Sequence, residues 1–329
     1  MKRYLPVLVF ILFLSQSCIS GITKNEIFQN DKIDPGIRAA IAELDKQVYK
    51  NMCENNYEAL SRFFSDSLME TMNTDFAQKF MPQIQKVIKD KHYRIFDEFY
   101  IKHVKPMDTV KISSGNGDNA YAIKFIAPYR ESCLSMIVAG DSLNEVMLTL
   151  LYSNIKGKWK LSSLKGEDYS LKGRNAIDQY HYAINLEKNG YLVDAENIMA
   201  LANHCNTPAG TIFNYSNAEE MKRFSDSLMN ETKLLLPYTI NEMITKPRVL
   251  NIYFEVMDHK FVPMVVYQSS VNVSDTIELK KENDAMQKKM GNIFNGIDKN
   301  NSVILYRAYN DLPDGRNNPP YYGYIQRIK

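Results

Sequence analysis

The chain has little of what marks a catalyst. Of its 329 residues, four are cysteine, five are histidine and one is tryptophan. No C-x-x-C and no H-x-x-x-H spacing occurs, so a closed zinc site has no ligand pattern to start from. His92, His103, His181, His204 and His259 stand at neither helical nor strand spacing from one another, and no metal set can be read. G-x-S-x-G, the P-loop and G-x-G-x-x-G are all missing. No metal and no cofactor is therefore expected. The net charge is only +2 and no long basic run exists, which argues against nucleic acid as a partner. Past residue 18 no uninterrupted apolar run comes near the ~18 residues of a membrane-crossing helix. Beyond Cys18 three cysteines remain, Cys53, Cys133 and Cys205, too few and too far apart for a disulfide framework. They read as small buried apolar residues, although one pair is open to oxidation in an oxidising compartment.

What is present starts with an address. Met1-Lys2-Arg3-Tyr4 is a short basic segment, Leu5 to Leu14 is an apolar run, and Ser15-Gln16-Ser17 leads into Cys18. Ten apolar residues suit a signal h-region and are too few to span a bilayer. The pattern resembles a bacterial lipoprotein signal, with Leu14 four residues before the cysteine, where the usual box has leucine at three. The resemblance implies cleavage before Cys18, lipid on Cys18, and a cell-envelope location, membrane-tethered and facing the periplasm or the cell exterior. Residues 1–18 are then the signal, and polar residues 19–36 are expected to be a tether. The alternative is an ordinary secretion signal in which Cys18 is incidental.

Apolar residues make up 45% of the chain, enough to bury real cores in two domains. Ile37, Ile41, Leu44, Val48 and Met52 repeat at helical spacing behind Pro35. Asn55-Asn56 ends that pattern. Two further helical stretches follow, Tyr57–Phe64 and Leu68–Lys89, the second with a break expected at Pro82. The character then changes to strands: Tyr93–Lys102, Thr109–Ser113, Ala120–Ala127, Ser132–Ala139, Glu145–Ser153 and Trp159–Leu164, separated by turn sequences such as Gly115-Asn116-Gly117-Asp118 and Gly140-Asp141. Helices followed by an antiparallel meander predict an α+β unit over residues 37–172, with helices on one face of a curved sheet.

Asn56-Tyr57-Glu58-Ala59-Leu60 with Phe63-Phe64-Ser65, and the late segments Met147–Ser153 and Lys158-Trp159-Lys160-Leu161, resemble the nuclear-transport-factor-two-like superfamily. That resemblance implies a cone with an internal cavity, used by enzymes and by non-enzymatic binding or assembly modules. Tyr121, Phe125, Met136, Leu148 and Tyr152 are the expected lining of such a cavity, for a small apolar ligand. His103 and Asp97, near Glu98 and Tyr100, are the candidates for acid–base chemistry there; the competing reading is a strand end with solvated charges. Three roles follow: a non-catalytic binding or assembly module at the envelope, an enzyme using the cavity, or a structural partner of another envelope protein.

Residues 173–212 hold two helical segments around Gly190-Tyr191, with Ala183, Ala195 and Ala202 at close-packing positions. They resemble a single tetratricopeptide hairpin, expected here to join two domains, since repeat arrays need about three units. Residues 213–329 are expected to form a second α+β domain. Its elements are a helix through Met221, Phe224 and Leu228, strands Arg248–Met257 and Phe261–Gln268, a helix opened by Asp275, and closing strands Val303–Tyr309 and Tyr322–Arg327. The aromatic run Tyr321-Tyr322 with Tyr324 suits either a strand or a stacking surface.

Two patterns cut across this organisation. Phe64–Met69 and Phe224–Met229 both read Phe-Ser-Asp-Ser-Leu-Met, without matching flanks. Asp, then Ser or Thr, then an aliphatic residue occurs around Ser67, Thr109, Ser142, Ser227 and Thr276, where average composition gives roughly one such triplet. The triplet resembles the acceptor for O-linked glycosylation in some bacterial envelopes. Asp and Ser also favour caps and turns for local reasons.

Overall fold

The computed structural model describes residues 24–88, 92–313 and 319–328. Cys18, the segment before it, and Asn317-Asn318 lie outside the described residues. The fold is α+β.

Some of the residues expected to be a tether are part of the fold. Glu26–Gln29 form strand β1, which pairs with the edge of the main sheet. Asp34 then caps helix α1 (Pro35–Cys53), accepting from the backbone N–H of Gly36 and Ile37 at 2.9 and 3.1 Å. Proline fits the first helical position because its missing N–H would have had no intrahelical partner there. Asn56 caps the short α2 (Tyr57–Ser61) through the Ala59 N–H. Next come α3 (Asp66–Thr71) and α4 (Thr74–Val87). The break falls at Met72-Asn73, and Pro82 is accommodated inside α4.

The strands follow the expected positions closely: β2 (Tyr93–Lys102), β3 (Asp108–Ser114), β4 (Tyr121–Ala127), β5 (Glu131–Gly140), β6 (Glu145–Ile155), β7 (Lys158–Leu171) and the short β8 (Arg174–Asn175). β7 runs seven residues past the expected end at Leu164. Five of these strands join β1 in a curled antiparallel sheet in the order β1-β2-β5-β6-β7-β8.

The main difference from expectation concerns what covers this sheet. Nearly every residue of β5 and β6 is buried, whichever way it points. Such strands need cover on both faces. One face packs against α1 to α4 through Val48, Met52, Leu60, Ile84, Ile137, Leu148 and Tyr152. The other face carries Phe99, Leu134, Met136 and Leu151. It is covered by the β3–β4 hairpin and by α5 (Ala176–Lys188) and α6 (Leu192–His204), and β9 (Phe213–Tyr215) pairs with β4. Helix α7 (Ala218–Leu235) joins the same core through Met221 and Leu228. The segment expected to be a linker hairpin is thus a structural layer of the first unit. Residues 213–235, assigned by pattern to the second domain, also belong to the first core. The sheet's second apolar face draws them in.

The remaining unit is a mixed five-stranded sheet, β10-β11-β12-β13-β14 in that order: β10 (Tyr238–Thr239), β11 (Arg248–Met257), β12 (Lys260–Gln268), β13 (Val303–Tyr309) and β14 (Tyr321–Arg327). β12 and β13 are parallel, and α8 (Thr276–Ile293) makes the crossover between them. Asp275 caps α8 at the Glu278 N–H. Leu279, Met286 and Met290 bury α8 against Val265, Tyr267, Ile304 and Tyr306.

The two units meet at the β11–β12 turn and at α6. The Lys172 ammonium lies 4.4 Å from the Phe254 ring and donates to the Phe261 carbonyl at 3.2 Å. Asp194 of α6 accepts from the amides of Asn300 and Asn301 at 2.8 and 3.0 Å. Among the described residues no helix is long and apolar enough to cross a membrane.

Candidate functional site

Between the main sheet and the β3–β4 hairpin lies a cleft of about 490 Å³. That falls within the few hundred to ~1,000 Å³ typical of small-molecule sites. Strand register builds its floor. Asp97, Met136, Thr149 and Lys165 sit opposite one another across β2, β5, β6 and β7, so their side chains share one face. Phe99, Leu134, Leu151 and Ser163 form the next row on the same face. From these rows Leu134, Thr149, Leu151, Ser163 and Lys165 line the cleft, and Phe125, Ile126, Met107 and Ile212 close it from above. Met107 and Ile126 are more than half exposed, which leaves apolar surface at the mouth.

Thr149 is the notable polar group in this wall. It is 3% exposed, and its hydroxyl has no hydrogen-bond partner among the described residues. A buried hydroxyl without a partner has lost its water without replacement, which costs stability unless a ligand or water supplies the bond. Lys165 separates this cleft from a more polar one of about 400 Å³, lined by Lys165, Glu167, Thr207, Thr211 and neighbours.

The residues expected to line one cavity do not share one. Phe125 lines the cleft, and Tyr121 and Met136 belong to the same core. Leu148 and Tyr152 point to the opposite face of the sheet, against the helices. Alternation decides this: Leu148 stands opposite Ile137 and Tyr152 opposite Cys133, one residue out of step with the row of Met136.

The two acid–base candidates are likewise apart. His103 lies six residues beyond Asp97, about 20 Å along an extended strand. His103 is 1% exposed and neither ring nitrogen finds a partner among the described residues. Burial lowers its pKa, favouring the neutral ring. Asp97 accepts from Gln29 Nε2 at 3.1 Å, Asn30 Nδ2 at 2.7 Å, Ser114 Oγ at 3.1 Å and the Tyr121 hydroxyl. Burial, then the bond to Asp97, pushes the Tyr121 phenol up, so Tyr121 stays a donor. This is a saturated carboxylate tying β1, β2, β3 and β4 together.

Sequence reasoning missed two groups. Asp45 sits fully buried on the inner face of α1, accepting from Ser135 Oγ at 2.6 Å and Tyr152 OH at 2.8 Å. Its signal was available: position 45 is four after Ile41 and three before Val48, a charge on the apolar stripe. Thr149 is a lone hydroxyl between Val146-Met147-Leu148 and Leu150-Leu151.

The hydroxyls of the five triplets, Ser67, Thr109, Ser142, Ser227 and Thr276, all belong to exposed residues. Several of the preceding aspartates have local work: Asp141 accepts from Leu143 and Asn144 N–H, Asp275 caps α8 and Asp108 accepts from Thr109 N–H. Among the described residues no cluster of three metal-ligating side chains forms. Compared with protein-family models, with curated proteins and with solved structures, the chain matches none.

Proposed function

We propose that the chain is a cell-envelope lipoprotein, anchored through lipid on Cys18, and that it acts as a non-catalytic module binding an apolar ligand in the cleft between the main sheet and the β3–β4 hairpin. The first unit, in this reading, is a cone of the nuclear-transport-factor-two-like kind put to binding rather than chemistry. The observation that carries the reading is the cleft itself: ligand-sized, walled by Phe125, Leu134, Leu151 and Ile212, and provided with one buried hydroxyl, on Thr149, that lacks a partner. The acid–base alternative draws no support from His103 and Asp97, which lie too far apart to share a proton and of which Asp97 is saturated.

Native mass spectrometry of the protein, purified from membranes of its host without denaturant, tests both halves. A retained small-molecule mass that Leu151→Trp abolishes supports the cleft. A clean apo mass under the same gentle conditions argues against it and directs the search to protein partners at the envelope. The denatured mass of the same sample reads the address. A diacyl or triacyl addition on a chain starting at Cys18 is the expected result, and an unmodified N-terminus overturns the anchor. Residual mass in hexose-sized steps is the result expected if the exposed triplets carry sugars, and a bare mass removes that reading.

A further inference from the structure

We infer that the ligand of this cleft is an anionic amphiphile, a single-chain carboxylate, with its head held by Lys165, Thr149 and Ser163 and its chain lying over Leu151 and Leu134. This deepens the binding reading above and rests on it.

Charge is the first reason. Among the side chains lining the cleft Lys165 is the single one with a formal charge, and no acid is present. Among the described residues Lys165 makes no ion pair. Glu167, two residues along the same strand face, is exposed, and its carboxylate lies beside Gly210 near the Lys165 ammonium without pairing with it.

Geometry is the second. Thr149 and Lys165 are direct cross-strand partners on the cleft face, a spacing that leaves about 5 Å between their Cβ atoms. Ser163 is two residues from Lys165 on the same face. The Lys165 side chain, whose ammonium reaches toward Gly210, and the Thr149 and Ser163 hydroxyls therefore lie on one stretch of the wall, beside the apolar Leu134 and Leu151. A carboxylate has two oxygens able to accept from all three groups, and such charge-assisted bonds are stronger than neutral ones. It would also give the buried Thr149 hydroxyl the partner it lacks.

Polarity on the two sides of Lys165 sets the orientation. One side is the apolar cleft; the other is the cleft with Glu167, Thr207 and Thr211. A head at Lys165 therefore faces polar surroundings while its chain runs beneath Phe125 and Ile126 toward the apolar mouth at Met107.

Isothermal titration of the purified full-length protein with laurate and with uncharged lauryl alcohol, both below their aggregation concentrations, tests this. Laurate is expected to bind about tenfold more tightly than the alcohol. Lys165→Met should remove that difference, Lys165→Arg should keep it, and Leu151→Trp should weaken both ligands. Equal binding of acid and alcohol to the wild type overturns the head-group assignment while leaving the apolar cleft in place; this comparison needs no variant and is unaffected by a misfolded one. Unchanged laurate preference in a folded Lys165→Met protein also overturns it. Failure of both ligands to bind removes the cleft reading together with this inference.

Discussion

Asp45 and Tyr152 are 107 residues apart in the chain and share a hydrogen bond of 2.8 Å in the core between α1 and the main sheet. Ser135 donates to the other carboxylate oxygen at 2.6 Å. Burial raises the Asp45 pKa to about 7, the two hydroxyl bonds offset part of that push, and the nearby Glu98 carboxylate adds to it.

This gives stability a definite pH dependence. The unfolded aspartate titrates near 4 and the folded one near 7, so between those values the folded state holds a proton that the unfolded state has lost. Stability contributed by Asp45 is complete below about pH 4, falls as pH rises, and levels off above about 7. The loss is on the order of 4 kcal/mol. Urea unfolding at pH 4.5 and 7.5 measures it. The Asp45→Asn protein should show little of the drop, and an equal drop in that variant would assign the effect to other groups.

Asp97 makes a contrasting case. Removing its carboxylate takes the acceptor from Asn30, Ser114 and Tyr121, while Gln29 Nε2 keeps Ser114 Oγ at 2.7 Å. Asp97→Ala is expected to cost about 3–5 kcal/mol and Tyr121→Phe about 1 kcal/mol. Chemical denaturation checks both. A loss for Asp97→Ala below that of Tyr121→Phe would show that the network does not hold β1 in place.

Thr149→Val keeps the shape of the side chain and removes the buried hydroxyl that has no partner. Without ligand the variant should be more stable by about 1 kcal/mol, and it should bind laurate more weakly. Thermal unfolding of delipidated protein beside titration reads the two effects separately. A destabilised apo variant would mean that the hydroxyl is already satisfied by water.

The repeated hexapeptide offers an internal control. Ser65 caps α3 at the Leu68 N–H, 3.2 Å away. Ser225, its counterpart, lies inside α7, where its hydroxyl accepts from Asn203 at 3.0 Å. Ser65→Ala should cost about 1 kcal/mol, and Ser225→Ala no more than about 0.5 kcal/mol. Equal losses in denaturant unfolding would mean that the cap contributes nothing special.

Much of the first unit was legible because its signals are local. Pro35 at the start of α1 and the Asn55-Asn56 break before α2 mark helix limits, and the turn residues around Gly115 and Gly140 separate strands whose limits match the alternation. Even so, the cover on the second sheet face was misjudged. The near-continuous apolar run from Cys133 to Ala139, interrupted by Ser135 alone, already says that both faces are buried. It does not say by what.

The sequence by itself determined the α+β class and most element limits, since these depend on neighbours a few residues away. Tertiary structure decided the rest. It placed Lys165 beside Thr149 and moved Leu148 to the far side from Met136, because pairing register is set by chain segments that meet only in the fold. It also gave one hexapeptide two roles. Phe63 and Ser65 are pinned to Leu161 by backbone bonds of 2.8 Å, so a helix can begin only after Ser65. In the second copy the helix has already started at Ala218, and the same six residues simply continue it.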